Sequence, residues 1–313
     1  MPSAEIVRMR LDETGRTLRR RLRGPLFRLL VATFARLPFS VIQRTGAVLG
    51  GLLYELSSEL RRVSLTNLGV AYPDMDMRER RALARRALVE TGKSMAEAGA
   101  IWRWEPEAVL DLVTDVVGEE LLDDAYGEGR GVIMLSPHIG AWELAGLYLS
   151  SQYTMTSMYR PPRAEDLGPL MRQARERAGA QLVPTDASGV RAVMQALKRG
   201  EMVGLLPDQD PGPEAGVFAP FFGKEANTMT LVSRLAQRTG APTLFIVAER
   251  LPGAAGFRLH VEPASPELAS TDLTTSLTAL NADIEALIRR FPEQFQWGYR
   301  RYRTRPAGEP KLY

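Results

Sequence analysis

The sequence predicts an α/β fold, with a mostly parallel central sheet flanked by helices and an N-terminal amphipathic helical segment ahead of it. Three observations carry this prediction. Short continuous apolar runs recur, as in "GVIMLS" (131–136), "MVGLLP" (202–207) and "PTLFIVAE" (242–249), the pattern of strands buried on both faces. Helix-period segments separate them, as parallel strands require. The first third of the chain is helical in pattern throughout, with arginines set among its apolar residues.

Taken in order, residues 8–24, "RMRLDETGRTLRRRLRG", form a basic run of the kind that marks a solvated tail or an anionic partner. The following stretch, 25–56, is apolar, but Arg28, Arg36 and Arg44 interrupt it and no acid occurs before Glu55. A spanning helix wants ~20 consecutive, mostly apolar residues, and Pro38 ends or kinks a helix. Leu26, Leu29, Leu30, Phe34 and Leu37 recur near helical spacing. They predict a helix lying in a membrane interface with its arginines near anionic headgroups; an ordinary core helix is the alternative. The boundary between this segment and the α/β body is drawn near residue 60.

From 57 to 125 the pattern is helical, with Asp76 as an N-cap. Strand 131–136 follows, then helix 141–151, strand 154–159, and helix 166–178 before "QLVP" (181–184). Helix 189–199 precedes strand 202–207. After a long loop come helix 228–239, strand 242–249, an alternating edge strand 257–262 and a last helix, 273–290.

At 313 residues the chain can bury a substantial core. It contains no cysteine, which excludes disulfides, thiolate chemistry and cysteine-based zinc sites. Net charge is only +3, from 40 Lys+Arg against 37 Asp+Glu, but a second basic stretch, "YRRYRTRPAGEPKLY", closes the chain.

There are two histidines. His138 lies in "MLSPHIGAWELAG" (134–146), five positions before Glu143. Five residues within one helix lie about 140° apart around its axis. The two can therefore meet only if His138 occupies the turn after strand 131–136 and Glu143 the first turns of the next helix. Pro137 and Gly140 suit that turn, and sites in α/β sheets form at carboxyl strand ends. A glutamate on one imidazole nitrogen would fix the tautomer and leave the other nitrogen to deprotonate a hydroxyl. No G-x-S-x-G frame accompanies them, so the expected chemistry is direct attack by an activated hydroxyl, without a covalent intermediate. A bracing role for His138 at the mouth of a core helix is the alternative. His260, in "FRLHVE", reads as an exposed strand histidine.

Arg160 follows the strand 154–159, while Arg172, Arg175 and Arg177 share one helix. Such arginines suit a phosphate or a developing oxyanion, or else a solvated face. Asp208 and Asp210, in "LLPDQDPG", lack a third metal ligand at local spacing, so loop structuring or hydroxyl binding is expected rather than a metal. Phe221 and Phe222 form an apolar knob, for an acyl chain, a membrane or the core. "GEGRG" (127–131) precedes a strand and is a turn, not a dinucleotide fingerprint.

In this order, "PHIGAWELAG", "YRPP", "LLPDQDPG", "PFFGKEANT" and "QWGYRRYRTRPAGEPKLY" resemble the late acyltransferases of lipid A biosynthesis, within the lysophospholipid acyltransferase superfamily. "NLGVAYPDM" (67–75) fits as well, and the likeness covers essentially the whole chain. The resemblance implies an inner-membrane enzyme facing the cytoplasm; the arginine-broken apolar segment points to peripheral rather than spanning attachment, and no cofactor is expected. It would transfer a fatty acyl chain from acyl carrier protein to a hydroxyl of a lipid A precursor or related membrane glycolipid, with no nucleic-acid partner. It implies His138 as general base, Glu143 as its orienting acid and Arg175 as a catalytic or phosphate-binding group. Arg160 matches its R-P motif, and Asp208 and Asp210 its D-x-D loop. Arg177, Phe221 and Phe222 complete the candidate substrate contacts. Ala141 departs from the asparagine many relatives carry there. Acyl transfer to a lysophospholipid, thioester hydrolysis, and a non-catalytic membrane-binding module remain as competing readings.

Overall fold

The computed structural model describes residues 24–25, 27–160 and 168–313. Residues 27–34 are helical, and three longer helices follow: α1 (Phe39–Leu56), α2 (Ser58–Ala71) and α3 (Met77–Arg103). Ser57 caps α2 by accepting from the Leu60 N–H, and Asp76 caps α3 by accepting from the Glu79 N–H, each satisfying an amide that the helix start leaves open. Pro38 precedes α1, as a residue that cannot continue the helix before it should.

α1 and α3 cross with backbones almost touching. A Cβ on Gly50 would come within 2.2 Å of the Leu88 carbonyl oxygen, and one on Gly92 within 2.3 Å of that of Gly46. Beside this crossing lies a buried charge cluster. Arg250 donates from Nε and Nη2 to the two oxygens of Glu97, both at 2.6 Å, and from Nη1 to Glu90 at 2.8 Å. Gln43 of α1 donates to Glu97 as well, at 2.7 Å. Burial disfavours the guanidinium charge, but the two carboxylates outweigh burial and hold its pKa above the ordinary arginine value.

After α4 (Pro106–Leu110) the chain enters the sheet with β1 (Val113–Val117) and leaves it through α5 (Glu119–Gly127). Then come β2 (Val132–Leu135), α6 (Trp142–Gln152), β3 (Met155–Tyr159), α7 (Gly168–Glu176), β4 (Gln181–Pro184), α8 (Ala187–Lys198) and β5 (Met202–Leu205). A hairpin, β6 (Gly216–Phe221) with β7 (Lys224–Met229), precedes α9 (Leu231–Thr239), β8 (Thr243–Arg250), β9 (Phe257–Pro263) and α10 (Leu273–Arg290). The seven-stranded sheet has the order β1-β9-β8-β2-β5-β3-β4. β8, β2, β5, β3 and β4 run parallel; β9 is antiparallel to β8, and β1 runs with β9.

Alternate residues of the central strands feed two cores. Ile133, Leu135, Val203, Leu205, Phe245 and Val247 pack on one face with α8, α9 and α10. Val132, Met134, Met202, Leu244, Ile246 and Ala248 pack on the other with α5 and α6. Strands covered on both faces must be apolar at every position, which is why "VIML" reads as an unbroken run.

The expected α/β architecture is present, with three departures. β1 falls inside the stretch expected to be helical: "VTDVV" is half exposed and has no apolar run, so its backbone pairing with β9 creates the strand. β9 is consequently not an edge strand, because β1 covers it. The long loop before α9 contains the β6–β7 hairpin, whose turn residues Phe222 and Gly223 have φ values of 48° and 70°, the signs that a tight two-residue hairpin turn requires. The basic N-terminal run and Leu26 lie outside the described residues. Among the described residues no helix is long and apolar enough to cross a membrane. α1 nevertheless exposes Val48, Leu52 and Leu56, and Leu29 and Leu30 are exposed in the helix before it.

Candidate active site

β2 and β5 are neighbours and end at the same sheet edge, Leu135 opposite Leu205. The turn after β2 carries His138, and the turn after β5 carries Asp208. Backbone stitching fixes the first turn: the Gly140 N–H donates to the Gln294 carbonyl and the Ala141 N–H to that of Ala248, while Ile139 bridges to Phe295. Gly140 has φ +63°, and a Cβ there would stand 2.0 Å from the Ala248 carbonyl oxygen. Only glycine fits so close an approach in that backbone conformation.

Asp208 grips His138 twice. Oδ2 accepts from the His138 backbone N–H at 3.0 Å, and Oδ1 lies 2.8 Å from Nδ1. Burial alone would raise the Asp208 carboxyl pKa; the imidazole charge and the hydrogen bonds to His138 outweigh it and hold the carboxyl below its ordinary range. The other ring nitrogen, Nε2, is met by the Gln209 amide nitrogen at 3.2 Å. Trp142 packs beside the imidazole, ring centroids 5.1 Å apart.

Glu143, one residue inside α6, faces α7 instead. Arg175 donates to it from Nε at 2.9 Å and from Nη2 at 2.5 Å. Burial would raise the Glu143 carboxyl, and the Arg175 charge and hydrogen bonds overcome this, with a smaller contribution from His138. The sequence thus places His138 and Glu143 in one site, but the direct partner expected for the imidazole differs: Asp208 takes that place, and Glu143 holds Arg175. Arg175 also lies 5.2 Å from the Tyr159 ring centroid.

An apolar cleft opens beside these groups, enclosing about 740 Å³ including its mouth. Ser136, Trp142, Glu143 and Arg175 stand among its polar and aromatic walls; Met134, Leu147, Leu149, Met155 and Leu182 supply apolar ones. Apolar walls with a few convergent polar groups are the usual character of a ligand site.

The remaining candidates are placed as follows. Arg160 is exposed immediately after β3, and 161–167 lie outside the described residues. Arg177 is turned away to cap α3, donating to the carbonyls of Ile101 and Trp104. Asp210 is an internal brace, accepting from the N–H groups of Gly212 and Thr304, both at 2.8 Å, and from Asn227 at 3.2 Å. Phe221 and Phe222 are buried at the hairpin tip against Tyr302, Trp297 and Tyr72, the core-plug alternative. The basic C-terminal stretch is largely engaged with the body. Arg301 is buried, donating to the Asn227 carbonyl and Thr228 hydroxyl, and Arg305 donates to the Glu225 carbonyl. His260 is half-buried and pairs with Glu249 across β8 and β9 at 2.8 Å. Sequence reasoning missed Gln209, and Asp208 as the partner of His138; the adjacency of β2 and β5 that unites them is a tertiary fact.

A histidine–carboxylate couple stands at the carboxyl edge of the parallel sheet with an apolar cleft nearby, and sequence similarity makes the chain an O-acyltransferase. The chain belongs to the bacterial lipid A biosynthesis acyltransferases, whose family model matches residues 20–304. It is 31% identical to the lipid A biosynthesis lauroyltransferase of Escherichia coli (strain K12), over 89% of this chain and 90% of that protein. It is 30% identical to the palmitoleoyltransferase of the same strain, over 90% of each, and 26% identical to its myristoyltransferase, over 85% and 82%. The reaction class is acyl transfer to a lipid A precursor.

Proposed function

We propose that this enzyme takes its acyl group from an acyl carrier protein thioester, with His138 as general base and no covalent acyl-enzyme. The observation that carries the reading is the pairing of Nδ1 with Asp208 at 2.8 Å. An ionised carboxylate can only accept, so Nδ1 carries the proton and Nε2 keeps its lone pair. The acceptor hydroxyl gives its proton to Nε2 while its oxygen attacks the thioester carbonyl. The tetrahedral intermediate collapses, the C–S bond breaks, and the imidazolium returns the proton to the leaving sulfur. Asp208 orients the ring and stabilises the imidazolium.

Glu143 holds Arg175 in the cleft wall, where a guanidinium suits the developing oxyanion or a phosphate of either substrate. Arg160, exposed after β3, adds positive charge for the same anionic groups. The fatty chain lies along the apolar walls of the cleft. The enzyme rests on the cytoplasmic face of the inner membrane as a peripheral protein, through the exposed leucines and valine of α1 and the helix before it.

The test is acyl transfer from a dodecanoyl acyl carrier protein to a purified lipid A precursor, followed by mass spectrometry. His138→Ala and Glu143→Ala should each cut product formation by at least ~10²-fold with the fold retained. Near-normal turnover in either variant rules the mechanism out.

A further inference from the structure

The resting site contains one contact the reaction does not need. The Gln209 side-chain nitrogen lies 3.2 Å from Nε2 of His138, the nitrogen that holds the lone pair. The opposite amide orientation would set an oxygen lone pair against a nitrogen lone pair, so the charges assign N–H as the group facing the ring. The residues on either side of Gln209 are anchored through their carboxylates. Asp208 is held by His138, and Asp210 by Gly212, Thr304 and Asn227. The Gln209 amide has no other hydrogen bond among the described residues, and the residue is partly buried.

The His138 side chain keeps 15% of its surface exposed, and a general base that water can reach can activate water as well as a substrate hydroxyl. With an acyl thioester in the cleft, water would give a proton to Nε2 and its oxygen would bond to the thioester carbon. The C–S bond would then break, releasing a free fatty acid and a thiol. We propose that Gln209 guards the base against this hydrolysis: its N–H occupies the Nε2 lone pair until the acceptor hydroxyl displaces it. The proposal rests on the general-base reading of His138. Displacement costs little, because the bond is neutral and, at 3.2 Å, long, whereas an ordered, bound hydroxyl is a better competitor than bulk water.

The experiment uses the full chain and a dodecanoyl acyl carrier protein thioester. It measures free dodecanoate without acceptor, and both dodecanoate and acylated product with a lipid A precursor. Gln209→Ala and Gln209→Met should each raise acceptor-independent hydrolysis roughly 5- to 10-fold, the factor a net hydrogen bond carries. The transfer-to-hydrolysis ratio should fall correspondingly. Methionine keeps the volume of glutamine but has no N–H, so it isolates the donor from the bulk. Unchanged or lower hydrolysis in either variant overturns the guard. Hydrolysis that stays elevated in a His138→Ala, Gln209→Ala double variant also overturns it, because the excess would not run through the imidazole. If the wild type transfers acyl groups while the Gln209 variants stay flat, only the guard fails. If the wild type transfers none, the general-base reading fails with it.

Discussion

His138 and Asp208, 70 residues apart in sequence, are joined by two hydrogen bonds, one to the imidazole and one to the backbone N–H of the same residue. A single carboxylate thus sets both the tautomer of the ring and the position of the loop that carries it. Asparagine at 208 could accept the backbone bond only by turning its NH₂ toward Nδ1, which drives the ring proton to Nε2 and blocks the base. Asp208→Asn should therefore lower turnover by about 10²- to 10⁴-fold with little change in acceptor KM. Steady-state kinetics, with a melting curve to confirm the fold, would decide it; a KM effect alone would assign Asp208 to binding.

Acid should destabilise the fold through the two site carboxylates. Asp208 and Glu143 are both held below the ordinary carboxylate range in the folded protein, burial being outweighed by His138 in one and Arg175 in the other. Their folded values are lower than their unfolded ones. Their contribution is therefore complete above about pH 4, the unfolded value, and is lost as pH falls through the folded values. Melting temperature measured from pH 7 to pH 2 should fall steeply at the acid end, and less steeply in Glu143→Gln. A melting temperature that rises on acidification would contradict this sign.

The Arg250–Glu97 pair should matter to stability rather than to chemistry. Replacing Glu97 with leucine strands a buried guanidinium with Glu90 as its remaining carboxylate. The expected loss is about 3 kcal/mol, read as a shift in denaturant midpoint. Turnover per folded molecule should hold; a collapse of turnover without loss of stability would place the cluster in the reaction.

Membrane attachment should depend on α1. Leu52 and Leu56 are exposed, Leu56 to 81%, so aspartate at both leaves the core untouched while placing charge on the apolar stripe. Co-sedimentation with vesicles of anionic phospholipid should drop several-fold relative to wild type, at unchanged melting temperature. Undiminished binding would move the docking surface elsewhere on the molecule.

Much of this was readable from the chain because buried parallel strands leave a plain signature. "VIML" and the helix after it place His138 in a turn and Glu143 on α6. The impossibility of a shared helical face at five-residue spacing implied that geometry before any fold was known. Legibility failed where partners come from the order of strands. Nothing local in "LLPDQDPG" announces that its strand lies beside β2, so Asp208 read as a substrate contact rather than the anchor of the histidine. The same limit hid β1, whose half-exposed "VTDVV" becomes a strand only because β9 offers a free edge. It also hid the duty of Arg177, whose side chain closes a helix end through backbone carbonyls, whereas Asp210 fills the loop-structuring role that was one of its two expected ones.

The stitching of the His138 turn also fixes when the site can exist. Gly140 is bound to the carbonyl of Gln294, and Ile139 bridges to Phe295, both beyond the last helix. On a ribosome, β2 and its histidine emerge long before those residues do. The nascent chain thus carries His138 in a loop that nothing yet closes, and contacts of such long sequence separation form slowly. The closed His138 turn is therefore among the last features the molecule acquires, arriving only after the segment beyond α10 has docked.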